Sequence, residues 1–335
     1  MGHEKLFKGM KYDIITIGGA VEDITFYTKG GLLIDNKKDI LRQRLLAFEY
    51  GAKIKIKSAH STFGGGAANV AVSARRLGLK SACVCAVGYD DRGKQIIKNL
   101  KSQKVDVRYA QKIRGKMSGF SFLLVGPENE HIIFPYRAAN DDLEISETFL
   151  RRLKTEWIYI TSLTGDWKQN LSNIFHHGKN FKLAWNPGFV QLSEGQDLIR
   201  KNLKNVHVFN VNKDEAIELV ARDKKVMRNR RESSGFLNDV KNLLKIISGY
   251  GPRIAIITSG KKGADAYDGS KFYHADIKKE QKKVDTTGIG DAFGSSTVCG
   301  LKLYQGDIQR AIELGINNSA SVIAEQGAQN GLIKL

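Results

Sequence analysis

Five short apolar runs, at residues 12–17, 157–161, 181–185, 207–211 and 254–258, alternate with segments of helical spacing. Strands joined through helices run parallel, and a parallel sheet buries both faces, so its strands read as near-continuous apolar stretches. The pattern predicts an α/β fold: a doubly wound, mostly parallel sheet with helices on both faces. With 335 residues and 41% hydrophobic content, the chain can bury such a core in one large domain, residues 11–335. Residues 1–10 read as a loose leader outside it.

Two regions break the rhythm. Residues 23–27 and 52–56 look like exposed strands, and the alternation Lys53, Ile54, Lys55, Ile56, Lys57 predicts one wet face and one covered face. Residues 118–125 and 131–135 form an expected hairpin across Gly126, Pro127, Glu128 and Asn129. The stretches at about 22–62 and 112–137 together predict a small β-sheet lid over the ends of the parallel strands. An exposed apolar lid face would pair with a second copy, giving a homodimer.

The net charge of +18 favours anionic partners. Its densest patch, Arg222, Lys224, Lys225, Arg228, Arg230 and Arg231, lacks interleaved aromatics, and no nucleic-acid partner is expected. Cys83, Cys85 and Cys299 form no Cys/His cluster, which argues against structural zinc and for a reducing, cytoplasmic setting. No apolar run reaches the length of a membrane span, and no membrane partner is expected.

Ligands of open α/β sheets sit beyond the carboxyl ends of the strands. The glycine-, Asn- and acid-rich stretches at 18–23, 186, 212–215 and 259–263 all fall at such ends, which points to one composite site. Late in the chain, Asp285, Thr286, Thr287, Gly288, Ile289, Gly290 and Asp291 lead into an apolar helix. Free amides at a helix start, with glycines that let the backbone approach, make an anion site. Asp291 reads either as a first-turn helix residue or as a base beside a bound phosphate. Residues 88–94 match P-loop spacing, but Gln95 stands where Mg²⁺ needs Ser or Thr. No glycine cluster has the dinucleotide fingerprint.

The sequence Gly64, Gly65, Gly66, Ala67, Ala68, Asn69 early and the 285–291 stretch late resemble, in order, the two signatures of the ribokinase-like, phosphofructokinase B family of carbohydrate kinases. Gly88, Asp90 and Gly93, the pair Asn212 and Glu215, and the run from Thr258 to Ala264 lie between them at matching spacing. The resemblance covers nearly all of residues 12–333. It implies ATP-dependent phosphorylation of a hydroxymethyl group on a sugar, or on a nucleoside, sugar phosphate or sugar acid.

By that resemblance Asp291 is the base and the Gly288, Ile289, Gly290 and Asp291 amides form the anion hole. Asn212 and Glu215 organise Mg²⁺ through water, although on their own they read as a helix cap. Thr258, Gly260, Gly263 and Asn318 (with Asn317 and Gly327) lie along the nucleotide. Asp23, Gly65, Gly66, Asn69, Arg137 and Asn140 meet the acceptor, Arg137 suiting an anionic group. Ala138 stands where relatives carry glycine, and Trp185 where many carry aspartate. Carbonyls of Asp285 and Thr287, with the Gly327 loop, are the expected site of a monovalent cation such as K⁺.

Overall fold

The computed structural model describes residues 12–36, 44–126, 131–228, 234–278 and 283–335. The first ten strands are β1 (Tyr12–Ile17), β2 (Val21–Tyr27), β3 (Leu32–Asp35), β4 (Arg44–Ala47), β5 (Ser58–Gly64), β6 (Ser81–Val84), β7 (Ala86–Gly88), β8 (Gln111–Ile113), β9 (Phe120–Val125) and β10 (His131–Tyr136). Six more follow: β11 (Thr155–Ile160), β12 (Lys182–Trp185), β13 (Val208–Asn212), β14 (Ile254–Thr258), β15 (Ala264–Tyr267) and β16 (Phe272–Ala275).

Eight strands form the main sheet in the order β16-β15-β14-β13-β12-β11-β1-β6. From β6 to β14 all neighbours are parallel, and β15 and β16 close one edge antiparallel. Alternate residues feed two separate cores. Ile15, Ile17, Ile158, Ile160, Phe209 and Ile257 pack on one face. On the other, Ile14, Trp157, Tyr159 and Ile256 meet residues of helices Gly66–Arg76, Ile289–Leu303 and Ile308–Val322. Chain order reverses between β1 and β11, the switch point where a ligand crevice opens.

A second sheet has the order β10-β9-β2-β5. β1 enters it directly through residues 18–20. Gly18 (φ 146°) has to be glycine, because a Cβ there would stand 2.1 Å from Thr161 Oγ1. Side chains alternate across this sheet. Asp23, Thr25, Leu123 and Val125 are buried on the face toward the main body, while Phe122, Ile132, Phe134 and Tyr136 remain exposed on the other.

Several sequence expectations need correction. Residues 52–56 are not a strand, and 53–57 are exposed throughout. β2 pairs from Tyr27 opposite Ser58 to Val21 opposite Gly64, so its partner is β5 and no β2 residue is left to pair with 52–56. Asp23 and Thr25 are buried, so β2 is not an exposed strand. The expected strand at 81–87 is two strands, β6 and β7, separated at Cys85: β6 pairs with β1 in the main sheet, and β7 pairs with β8 in a small sheet of their own. Residues 1–11 and the turn at 127–130 lie outside the described residues, as do Arg230 and Arg231 of the basic patch. Cys83, Cys85 and Cys299 are buried and unpaired. Among the described residues no helix is long and apolar enough to cross a membrane.

Candidate active site

Helix Ile289–Leu303 begins after Gly288, whose φ of 77° is left-handed. A Cβ on Gly288 would also fall 2.3 Å from Ala328 Cβ. The first intrahelical bond runs from Ala292 N to Gly288 O (2.9 Å), so the amides of Ile289, Gly290 and Asp291 precede it and point outward. Among the described residues nothing lies within 4 Å of a Cβ built on Gly290, which leaves room for an anion. Buried Asp285 fixes the turn by accepting from Thr287 N (2.8 Å) and Gly327 N (2.9 Å). His131 of β10 meets Thr286 Oγ1 at 2.9 Å and lies 3.6 Å from Asp285 Oδ1, tying the second sheet to this turn.

Asp291 is partly open, and its Oδ2 accepts from Asn69 Nδ2 at 2.8 Å. Burial raises its carboxyl above the ordinary range, and the Asn69 bond opposes that rise. Asp23 of β2 is buried nearby, close enough to feel the charges of Asp285 and Asp291. Burial pushes its carboxyl up to about 6; the Ser121 hydroxyl opposes this, the charges of Asp285 and Asp291 add to it, and Arg137 counteracts it. Arg137 is exposed, and its side chain makes no hydrogen bond or ion pair among the described residues.

The acceptor-side residues expected from the sequence therefore converge, but not all as ligands. A Cβ at Gly65 (φ 92°) would stand 2.6 Å from Gly19 O, and one at Gly66 would stand 2.8 Å from Thr161. Both glycines are required by chain packing, whatever approaches them. Asn140 is engaged by the chain itself. Its Oδ1 accepts from Ala20 N (3.1 Å) and its Nδ2 donates to Arg137 O (3.1 Å), so it fastens the 138–142 turn to the β1–β2 link. Ala138 in that turn has φ 46°, the left-handed region. Such a conformation costs a non-glycine residue ~1–2 kcal/mol, against roughly 0.4–1 kcal/mol of unfolded-state entropy for glycine. Ala138→Gly should therefore raise unfolding stability by about 0.5–1 kcal/mol, measurable by urea titration.

A cleft of about 540 Å³ opens on the other side of the helix start, lined by Asn212, Thr258, Gly260, Gly263, Gly290 and Ser319 among others. Four of these are sequence-expected nucleotide residues. Asn318 is the exception and a correction: it is fully buried, donates to Ser73 and Ser296, and accepts from Ile333 N. The cleft wall is instead Ile316, Ser319, Ala320 and Ile323. That i, i+3, i+4, i+7 spacing was readable as one helix face. Asn212 and Glu215 form a reciprocal capping box, with Glu215 N to Asn212 Oδ1 at 2.9 Å and Asn212 N to Glu215 Oε2 at 2.8 Å. Burial raises the Glu215 carboxyl. A cavity of about 580 Å³ lies at the opposite, amino ends of β11–β13, far from this constellation, and is not the site. Sequence reading missed His131, Gln329 and Asn99; an isolated polar residue in a hairpin, tail or helix carries no local signal for such contacts.

A model of the pfkB family of carbohydrate kinases matches residues 37–335. The chain belongs to that family. This pfkB kinase is 23% identical to the ATP-dependent 6-phosphofructokinase of Thermoanaerobacterium thermosaccharolyticum, over 96% of this chain and 91% of that one. Its fold matches the nucleoside kinase of Methanocaldococcus jannaschii with a TM-score of 0.73 and 21% identity, covering 97% and 96% of the two chains. It also matches Arabidopsis thaliana ribokinase complexed with ribose and ATP, with a TM-score of 0.72 and 17% identity over 97% and 96%. The ribokinase-like fold expected from the sequence is thus the fold observed. As a pfkB kinase the protein is an ATP-dependent carbohydrate kinase.

Proposed function

We propose that this kinase transfers the ATP γ-phosphoryl group to a hydroxymethyl group of a sugar, with Asp291 as the base. The observation that carries the reading is the position of Asp291: at the helix start whose Ile289 and Gly290 line the nucleotide-sized cleft, bonded to Asn69 and within reach of the Asp23 charge. Asp291 takes the hydroxyl proton as the hydroxyl oxygen bonds the γ-phosphorus and the bridge to ADP breaks. The amides of Ile289, Gly290 and Asp291 stabilise the charge that develops on the equatorial oxygens. Asp23 accepts from acceptor hydroxyls and orients them.

Mg²⁺ fits at Asn212 and Glu215, where the capping box uses one carboxylate oxygen of Glu215, and water-mediated binding would neutralise phosphate charge. A monovalent cation such as K⁺ fits the carbonyls of Asp285 and Thr287, because the Gly327 N bond to Asp285 brings the two loops together. The second sheet acts as the lid, His131 reaching from it to the anion-site turn. The buried, unpaired cysteines suit a cytoplasmic setting.

Arg137 favours one narrower reading, an acceptor bearing phosphate or carboxylate, since its exposed side chain, whose charge reaches Asp23, makes no hydrogen bond or ion pair among the described residues. ADP release with ribose, fructose, fructose 6-phosphate, 2-keto-3-deoxygluconate and adenosine separates the classes. On the anionic reading, Arg137→Ala raises the KM of the anionic acceptors alone; an equal effect on ribose rejects it.

The exposed face of Phe122, Ile132, Phe134 and Tyr136 pairs with a second copy. Phe134→Glu should convert a dimer to a monomer in analytical ultracentrifugation. A wild-type protein that sediments as a monomer at high micromolar concentration contradicts this.

A further inference from the structure

Asn69 does not hold Asp291 alone. Gln329 Nε2 donates to Asn69 Oδ1 at 3.0 Å, and Asn99 Nδ2 donates to Gln329 Oε1 at 2.9 Å. Asn69 and Gln329 are both buried. The chain of amides thus runs from the base, through helix Gly66–Arg76 and the C-terminal segment, to helix Asp91–Ser102.

Its direction has a chemical cause. An ionised carboxylate can only accept, so Asn69 must turn its NH₂ group to Asp291. Its carbonyl then faces away and needs a donor, which Gln329 supplies. The Gln329 carbonyl needs one in turn, which Asn99 supplies. All three amides point their donor ends toward the base. With any link reversed, a carbonyl would face the carboxylate or another carbonyl, and an unpaired buried acceptor is costly.

We propose that Gln329 and Asn99 are positioning residues that keep the donor end of Asn69 on Asp291 and so keep that carboxylate ionised. The proposal rests on the reading of Asp291 as the base. No cation pairs with Asp291 among the described residues. The titratable groups among the described residues that interact with it are Asp23 on β2 and Tyr159 on β11, and neither stabilises its charge. The support therefore comes from the helix start and the Asn69 amide, whose orientation depends on the two residues behind it.

The test is a titration of ¹³C-aspartate-labelled protein followed by NMR, with the Asp291 resonance identified by its absence in Asp291→Asn. Gln329→Leu adds no charge, so any shift reports the amide chain. The Asp291 protonation constant is expected to rise roughly 3- to 10-fold in Gln329→Leu, with a smaller rise in Asn99→Leu. An Asp291 titration coincident with wild type in Gln329→Leu overturns the proposal. If Gln329→Leu does not fold, Asn99→Leu decides: a shift upward supports the chain and none overturns it. Turnover by Asp291→Asn is measured separately. If that variant works at the wild-type rate, the base reading fails, while the titration still judges whether the amides set the carboxylate.

Discussion

With Asp291 as the proposed base, Asp291→Asn is expected to lower turnover by about 10²–10⁴-fold, the usual worth of a general base, while ATP still binds. The substitution keeps the shape of the side chain and its place after Gly288. It removes the group that can take a proton, and it puts an amide beside the Asn69 NH₂ group, which now donates to Asp291 at 2.8 Å. The proposed nucleotide cleft is lined by Asn212, Thr258, Gly260 and Ser319, none of which is bonded to that carboxylate. ATP affinity measured by calorimetry should stay within a few-fold of wild type while kcat falls. A parallel loss of both would show that Asp291 shapes the nucleotide site.

Asp23→Asn has two effects of opposite sign. Burial lifts the folded-state pKa of Asp23 from 3.8 to about 6. A carboxyl with a raised folded pKa favours the folded state when protonated; that contribution is full below the unfolded value and is lost as pH rises through about 6. At neutral pH the ionised side chain therefore opposes folding, by on the order of 1–3 kcal/mol for a shift of roughly two units. Asp23→Asn should raise unfolding stability by about that much at pH 8, and by little at pH 4, in urea titrations at the two pH values. Acceptor use moves the other way. Losing a charged acceptor of hydroxyl hydrogen bonds, worth ~1.5–3 kcal/mol, lowers kcat/KM for the acceptor roughly 10- to 150-fold. If Asp23 binds the acceptor as proposed, acceptor affinity of the wild type is expected to fall as pH drops through about 6. A buried charge kept at a cost in stability is what a binding site requires and a core does not.

The parallel sheet was legible because buried parallel strands leave an unambiguous mark. Ile14, Ile15 and Ile17 are almost fully buried and feed opposite faces of β1. The alternation at 53–57 misled because pairing depends on a partner: β2 is occupied by β5 up to Ser58. β15 and β16, four residues each, carried too little pattern to be seen.

At the site, backbone-borne features were the readable ones. The left-handed φ of Gly288 and the outward amides after it follow from glycine and a helix start. Side-chain amides were read less well. Asn140 and Asn318 looked like ligands, yet Ala20 and Arg137 engage the first, and Ser73, Ser296 and Ile333 engage the second. An asparagine offers the same donor and acceptor wherever it sits, and only the fold decides what it meets. Asn212 and Glu215 show the converse, since a capping box and a metal-organising pair need the same two residues.

The central claim is that one composite site joins a nucleotide cleft to an acceptor pocket through Asp291. The most direct test is acceptor-stimulated ADP release across the sugar, sugar-phosphate, sugar-acid and nucleoside panel, with the phosphorylated product quantified in the same samples. The predicted result is at least one acceptor that raises ADP release far above the no-acceptor rate, with one phosphorylated acceptor formed per ADP. Calorimetric binding of a panel member with no ADP released above background would contradict it.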